Sequence, residues 1–250
     1  MDLSLSAALL LPLVATFAGF IDTLAGGGGL VTVPALLLAG VPPLNALATN
    51  KVQGSMGTLT ASLMLMRKGF LRPEEIRRPL LYCFFAAGSG TALVQALPAP
   101  LLRYAIPLVL IGIATYFLLV PAAGQLESRP RLGLRYYQSV ILPVIAFYDG
   151  LIGPGTGSFF SLAGVALRGQ TLIQATAHAK AFNFISNLAS VGVFVLGGHV
   201  LWFTALSMML GQMLGATIAS HVMIRGGARL IRPLIVMVSL AMLLRFWLTQ

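Results

Sequence analysis

Charge is what this chain has least of. Only 9% of its 250 residues are Asp, Glu, Lys or Arg, against about a quarter in an ordinary soluble domain. That shortage excludes a surface wetted on all sides, and with 58% hydrophobic residues it leaves an integral membrane protein. A single cysteine, Cys83, excludes an internal disulfide and any cysteine metal cluster. The three histidines show no metal-ligand spacing and there is no G-x-x-x-x-G-K-[ST] loop, so neither a metal, a cofactor nor direct use of ATP is expected. No Lys or Arg precedes Lys51. The apolar start therefore lacks the basic n-region of a signal peptide, and residues 1–24 read as part of the mature protein.

What is there is a series of long apolar runs, at 5–24, 44–66, 79–96, 103–120, 135–149, 172–196, 201–221 and 233–248. A bilayer is crossed by about 20 helical residues, and helices satisfy their own backbone in lipid. An all-α, multi-pass bundle forming one membrane domain over 1–250 follows. The weaker alternation of a membrane β-barrel is absent. The net charge of +10 sits mostly in short loops between the runs, which suits topology signals and lipid headgroups rather than nucleic acid.

The chain repeats itself. The first half reads GFIDTLAGGGGLVTVPALLLAG and then ALATNKVQGSMG; the second reads AFYDGLIGPGTGSFFSLAGVALRG and then ATAHAKAFNFISN. Asp22 aligns with Asp149 and Gly26 with Gly153 at one spacing, Gly40 with Gly169 and Lys51 with Lys180 at a spacing two residues longer. Each half, 1–125 and 132–250, has one grammar: apolar helix, Asp, glycine-rich break, short apolar segment, connection, then a long helix opening with Lys. Pro79 and Pro233 stand where helix starts are expected, since a missing N–H is harmless there. The segments 30–39 and 158–167 span about 15 Å as helices, too short to cross alone.

Two topologies fit this grammar. If each broken element crosses once, the halves are parallel, and Arg103, Arg168, Arg225, Arg229 and Arg232 oppose the other loop cations. If each folds back as a re-entrant hairpin, the halves are inverted and only Arg103 and Arg245 oppose the majority. The positive-inside rule selects the second: two inverted repeats, each a broken hairpin plus three transmembrane helices, with both termini outside the cytoplasm.

Non-helical backbone at membrane depth lines a cavity or is buried in protein. Gly26, Gly27, Gly28 and Gly29, and in the second copy Gly153, Gly155, Thr156 and Gly157, precede half-helices whose positive N-termini face the break, an anion-binding arrangement. Close helix packing is the other use of such glycines. Lys51 and Lys180 lie deep in apolar sequence. Either they mark a pathway or they snorkel from helix ends, and their neighbours favour the pathway. Thr176, Lys180, Asn183 and Asn187 share one helical face, and Lys51, Gly54, Ser55, Thr58 and Ser62 share the matching one. Asn50, Gln53 and His178 stand close enough to contribute. Asp22 and Asp149 carry a coupling proton, balance the lysines, or cap the broken helices. Gly211-Gln-Met-Leu-Gly215 has the spacing of a close helix contact, inside the bundle or across a homodimer.

At these residues the sequence resembles the sulfite exporter TauE/SafE family of bacterial membrane transporters. FIDTLAGGGGLVTVPALL with ALATNKVQGS, and FYDGLIGPGTGSFF with ATAHAKAFNFISN, carry the likeness across the whole layout. The resemblance implies a multi-pass protein of the bacterial inner membrane that moves sulfite, sulfoacetate, another organosulfonate or a related small anion. Its site would draw on the two glycine breaks with Asn50, Lys51, His178 and Lys180. The expected activity is alternating-access secondary transport with a proton as one coupling option. A passive anion channel, or an intramembrane aspartyl protease using Asp22 and Asp149, are the other readings of the same residues.

Overall fold

The computed structural model describes residues 5–98, 100–101 and 129–226, which form helices joined by short connections, with no strand among them. The spans expected at 103–120 and 233–248, with Pro233, Arg103, Arg229, Arg232 and Arg245, lie outside the described residues.

The first half contributes α1 (Leu5–Ala25), α2 (Gly29–Leu38), α3 (Pro43–Arg67) and α4 (Pro73–Ala96). In the second, α5 (Leu142–Leu151) continues a helical start at Leu134–Tyr136 through a π-helical turn, Tyr137–Ile141. Then come α6 (Thr156–Arg168), α7 (Leu172–Leu196) and α8 (Trp202–Gly226).

Local chemistry sets these boundaries. Pro43 opens α3 directly after Pro42, where the lost N–H has no intrahelical partner to miss. A capping box opens α7: Thr171 Oγ1 accepts from the Gln174 N–H, and Gln174 Oε1 accepts from the Thr171 N–H. The expected start of the fourth helix needs correction. Pro79 lies inside α4, which begins at Pro73 with Glu74 and Glu75 in its first turn. Hydropathy marks only the lipid-compatible part of a helix, and the charged turn Pro73–Arg78 extends beyond it.

Three described helices are long and apolar enough to cross a membrane by length and composition: Pro73–Ala96, Leu172–Leu196 and Trp202–Met223. Helix α3, with 25 residues, reaches about 37 Å, but its polar face lowers its hydropathy. That face is turned inward: Asn50, Lys51, Gln53, Ser55, Thr58 and Ser62 are all buried.

The packing exchanges equivalent elements. α1 lies on α8 and α5 lies on α4; α3 lies on α8 and α7 lies on α4. Glycines permit these approaches. A Cβ on Gly211 or Gly215 of α8 would collide with the backbone oxygens of Pro12 and Thr16, and one on Gly150 of α5 with that of Ala87. The Gly211 to Gly215 motif therefore receives α1 of the same chain. Equivalent helices α3 and α7 also touch each other, and they run in opposite directions. Asn45 at the start of α3 donates to the His199 carbonyl just past the end of α7 (2.8 Å), while Glu75, past the end of α3, faces His178 near the start of α7.

Candidate functional site

The two breaks meet at the centre of this arrangement. Gly26 (φ +77°) and Gly153 (φ +95°) hold the left-handed conformation that a side chain resists, and each turns the chain from a long helix toward a half-helix. The turned segments then cross. Gly26 sits against the backbone of Gly157 and Ser158, so that a Cβ on either glycine would strike the other segment, and a Cβ on Gly29 would lie 3.1 Å from Pro154 Cα. Ser158 Oγ donates to the Ala25 carbonyl, a hydrogen bond between the halves.

Four charges are buried at this crossing, and they pair between halves. Lys51 Nζ on α3 donates to Asp149 Oδ1 on α5 at 2.7 Å. Lys180 Nζ on α7 donates to Asp22 Oδ2 on α1 at 3.0 Å and also to the Asp22 carbonyl. Lys51 and Lys180 are 1% and 0% exposed, so neither snorkels to an interface. Each carboxylate has a second donor: the Gly28 N–H reaches Asp22 Oδ1 at 3.1 Å, and Ser186 Oγ reaches Asp149 Oδ2. Asp22 thus balances a lysine and caps the break at the positive end of α2 at once. Buried charges need such pairing, because an isolated one costs several kcal/mol or more. With both carboxylates engaged by ammonium groups, they do not form the proton-sharing dyad an aspartyl protease needs.

Between the breaks lies a polar cavity with about 20 Å³ of room for a water centre, lined by Asp22, Gly26, Gly29, Asn50, Lys51, Gln53, Gly54, Thr58, Asp149, Gly153, Gly155, Asn183, Asn187 and Gln212. That volume suits a single water-sized occupant. Amide donors lie beside both half-helix N-termini: Asn50 Nδ2 is 3.4 Å from where a Cβ on Gly29 would be, and Asn183 Nδ2 is 3.3 Å from that of Gly157. Their orientation is held from behind. Asn50 Oδ1 accepts from Thr32 Oγ1 (2.5 Å) and Gln53 Nε2 (2.9 Å), and Asn183 Oδ1 accepts from Asn187 Nδ2 (3.1 Å).

The remaining residues singled out by sequence take other places. Lys180 joins the site through Asp22, Gly28 through its N–H, and Gly157 through its contact with Gly26. Thr156 Oγ1 donates to the Gly153 carbonyl at 2.5 Å, bracing the turn, and Gly27 faces Leu30 and Ile21. His178 does not line the cavity; its Nδ1 meets the Gln174 carbonyl at 2.8 Å and its Nε2 lies 3.6 Å from Glu75. Two residues were missed. Ser186 stands one helical turn from Asn183 on the stripe already recognised. Gln212 is a polar residue inside an apolar span, a functional signal in its own right, and it stands inside the Gly211 to Gly215 motif, whose spacing alone draws the eye.

The family model described as "Sulfite exporter TauE/SafE" matches residues 11–246. The chain is 42% identical to a "Probable membrane transporter protein" of Haemophilus influenzae over 97% of its own length and 95% of that protein. It is 43% identical to "Probable membrane transporter protein ORF9" of Sinorhizobium sp, covering 98% and 94%, and 43% identical to "Probable membrane transporter protein YfcA" of Escherichia coli, covering 92% and 85%. No solved structure matches the chain. Likeness of this extent, over nearly the whole of both chains, makes it a multi-pass membrane protein belonging to the sulfite exporter TauE/SafE family of transporters.

Proposed function

We propose that the chain is a secondary transporter of the bacterial inner membrane that exports a small sulfur oxyanion or organosulfonate, sulfite and sulfoacetate being the type cases. The anion binds where the two breaks cross. The observation that carries this reading is the convergence, on one polar cavity, of two half-helix N-termini with an asparagine amide beside each. Helix N-termini and amide N–H groups are anion donors. The lysines, balanced by the aspartates of the opposite half, give a site of no net formal charge. Donors fixed in place, rather than bare positive charge, then hold the anion.

The cavity is far smaller than an organosulfonate, so the described conformation is a closed one, and the anion enters only when the halves separate. Inverted repeats supply that motion: rocking one repeat against the other exposes the crossing to alternate faces. The antiparallel contact of α3 with α7 and the exchanged packing of α1, α4, α5 and α8 support inversion, since parallel repeats run equivalent helices the same way.

The test is anion flux into proteoliposomes containing the purified chain, with sulfite, sulfoacetate, thiosulfate and sulfate offered separately. Asn50→Asp and Asn183→Asp keep side-chain size and an acceptor oxygen but replace the amide donor with negative charge. Like-charge juxtaposition costs several kcal/mol, so KM for the transported anion should rise at least about tenfold in each. An unchanged KM in both variants would remove the breaks from anion binding.

A further inference from the structure

The two ion pairs are equivalent in the repeat and unlike in their surroundings. Asp149 is 1% exposed, and its two carboxylate oxygens are held by Lys51 and by the Ser186 hydroxyl. The residue matching Ser186, at the spacing that relates Lys51 to Lys180, is Gly57. Gln212 fills the room this glycine leaves, since a Cβ on Gly57 would collide with Gln212 Cγ. At the same spacing the counterpart of Gln212 is Cys83, buried in an apolar cluster with Ala87 and Leu142. So the Asp149 pair has a hydroxyl donor and an apolar neighbour, while the Asp22 pair has the Gly28 N–H as donor and shares the cavity with the Gln212 amide.

Gln212 is 2% exposed and lines the cavity together with Asp22, and its Oε1 has no hydrogen-bond partner among the described residues. A buried carbonyl oxygen without a donor is costly. An anion cannot satisfy it, because both are acceptors. A carboxyl O–H can.

We propose that Asp22 is the carboxylate that takes up a proton when the anion binds, with Gln212 as the acceptor that positions the protonated acid, and that Asp149 stays ionised throughout. The inference rests on the anion reading above. A hydronium ion entering the cavity gives its proton to Asp22 Oδ2 and leaves as water, the Lys180 ammonium gives up its hydrogen bond to that oxygen, and the new O–H turns to Gln212 Oε1. Lys180 keeps its own proton and is released to face the anion. The other charged groups lining the cavity are Lys51 from α3 and Asp149 from α5, which balance each other; α2 contributes Gly29, the breaks Gly26, Gly153 and Gly155, α7 Asn183 and Asn187, and α8 Gln212. One proton leaving with a doubly charged anion carries net negative charge outward, the direction that an inside-negative potential drives.

Infrared difference spectroscopy of the reconstituted chain, with and without a transported anion, reads the carboxyl C=O stretch. The band should appear on anion addition, be absent from Asp22→Asn, and move to higher frequency in Gln212→Leu. In the same liposomes Asp22→Asn should lose the acceleration of anion flux by a pH gradient. The acceleration of flux by a pH gradient should fall about tenfold in Gln212→Leu, the change that one hydrogen bond to the protonated form carries. Should Asp22→Asn fail to fold, the shifts in Gln212→Leu decide alone. A carboxyl band that survives Asp22→Asn, a pH-driven flux that survives it, or an unmoved Gln212→Leu overturns the inference and leaves the anion site standing. A wild-type protein that moves no anion overturns both.

Discussion

Lys51→Met should be among the most damaging single changes in the molecule. It leaves the Asp149 carboxylate buried with Ser186 as its remaining side-chain donor. Removing one partner of a buried pair costs about 3–5 kcal/mol. For a chain of this size each kcal/mol is worth roughly 2–4 °C in Tm, so Lys51→Met or Asp149→Leu alone should lower Tm by about 6–20 °C. The double variant Lys51→Met/Asp149→Leu removes both charges, and apolar replacement of a buried pair is often close to neutral. Ser186 then keeps the Asn183 carbonyl as an acceptor at 3.1 Å. The double variant should therefore be more stable than either single one. Cys83, the chain's one cysteine and fully buried, reports the transition in detergent by its reaction with a thiol-specific fluorophore on unfolding. A double variant whose loss equals the sum of the two single losses would refute the reasoning, because it would leave the charges energetically independent.

Two glycine substitutions separate strain at the crossing from ordinary packing. Gly26→Ala puts a side chain at φ +77° and into the backbone of Gly157 and Ser158, for a loss of about 2–5 kcal/mol from conformation and overpacking together. Gly192→Ala, on α7 with nothing within 4 Å of its Cβ, should instead gain about 0.5–1 kcal/mol; thiol-detected melting of the two side by side checks both. Gly215→Ala drives a methyl into the Thr16 backbone oxygen on α1. It should cost about 1–3 kcal/mol by the same melting assay, with the anion KM of the folded fraction unchanged because the residue lies outside the cavity.

The breaks, the lysines and the aspartates were readable in sequence because each violates the rule of its surroundings. Four glycines interrupt a lipid-grade helix, and a charge stands where charge is expensive. Repetition raised each oddity from accident to pattern. Hydropathy located α3, α7 and α8 for the same reason, but it stopped short of the Pro73 turn, where lipid ends before the helix does. Gln212 and Ser186 escape a sequence reading because single amides and hydroxyls violate little: Gln212 stands inside a small-residue motif, and Ser186 is one of many hydroxyls in apolar helices. The pairing escaped for a deeper reason. Within either half, Asp and Lys look like partners, since they bracket the same break. The structure joins Lys51 to Asp149 and Lys180 to Asp22, a choice made by the crossing of Gly26 over Gly157, which no local pattern encodes. Each half therefore carries a lysine it cannot neutralise and a carboxylate it cannot fully satisfy. Neither half is stable with its charges buried until the other is in place, and any motion that parts the halves must carry both ion pairs with it or exchange their partners for an anion and a proton.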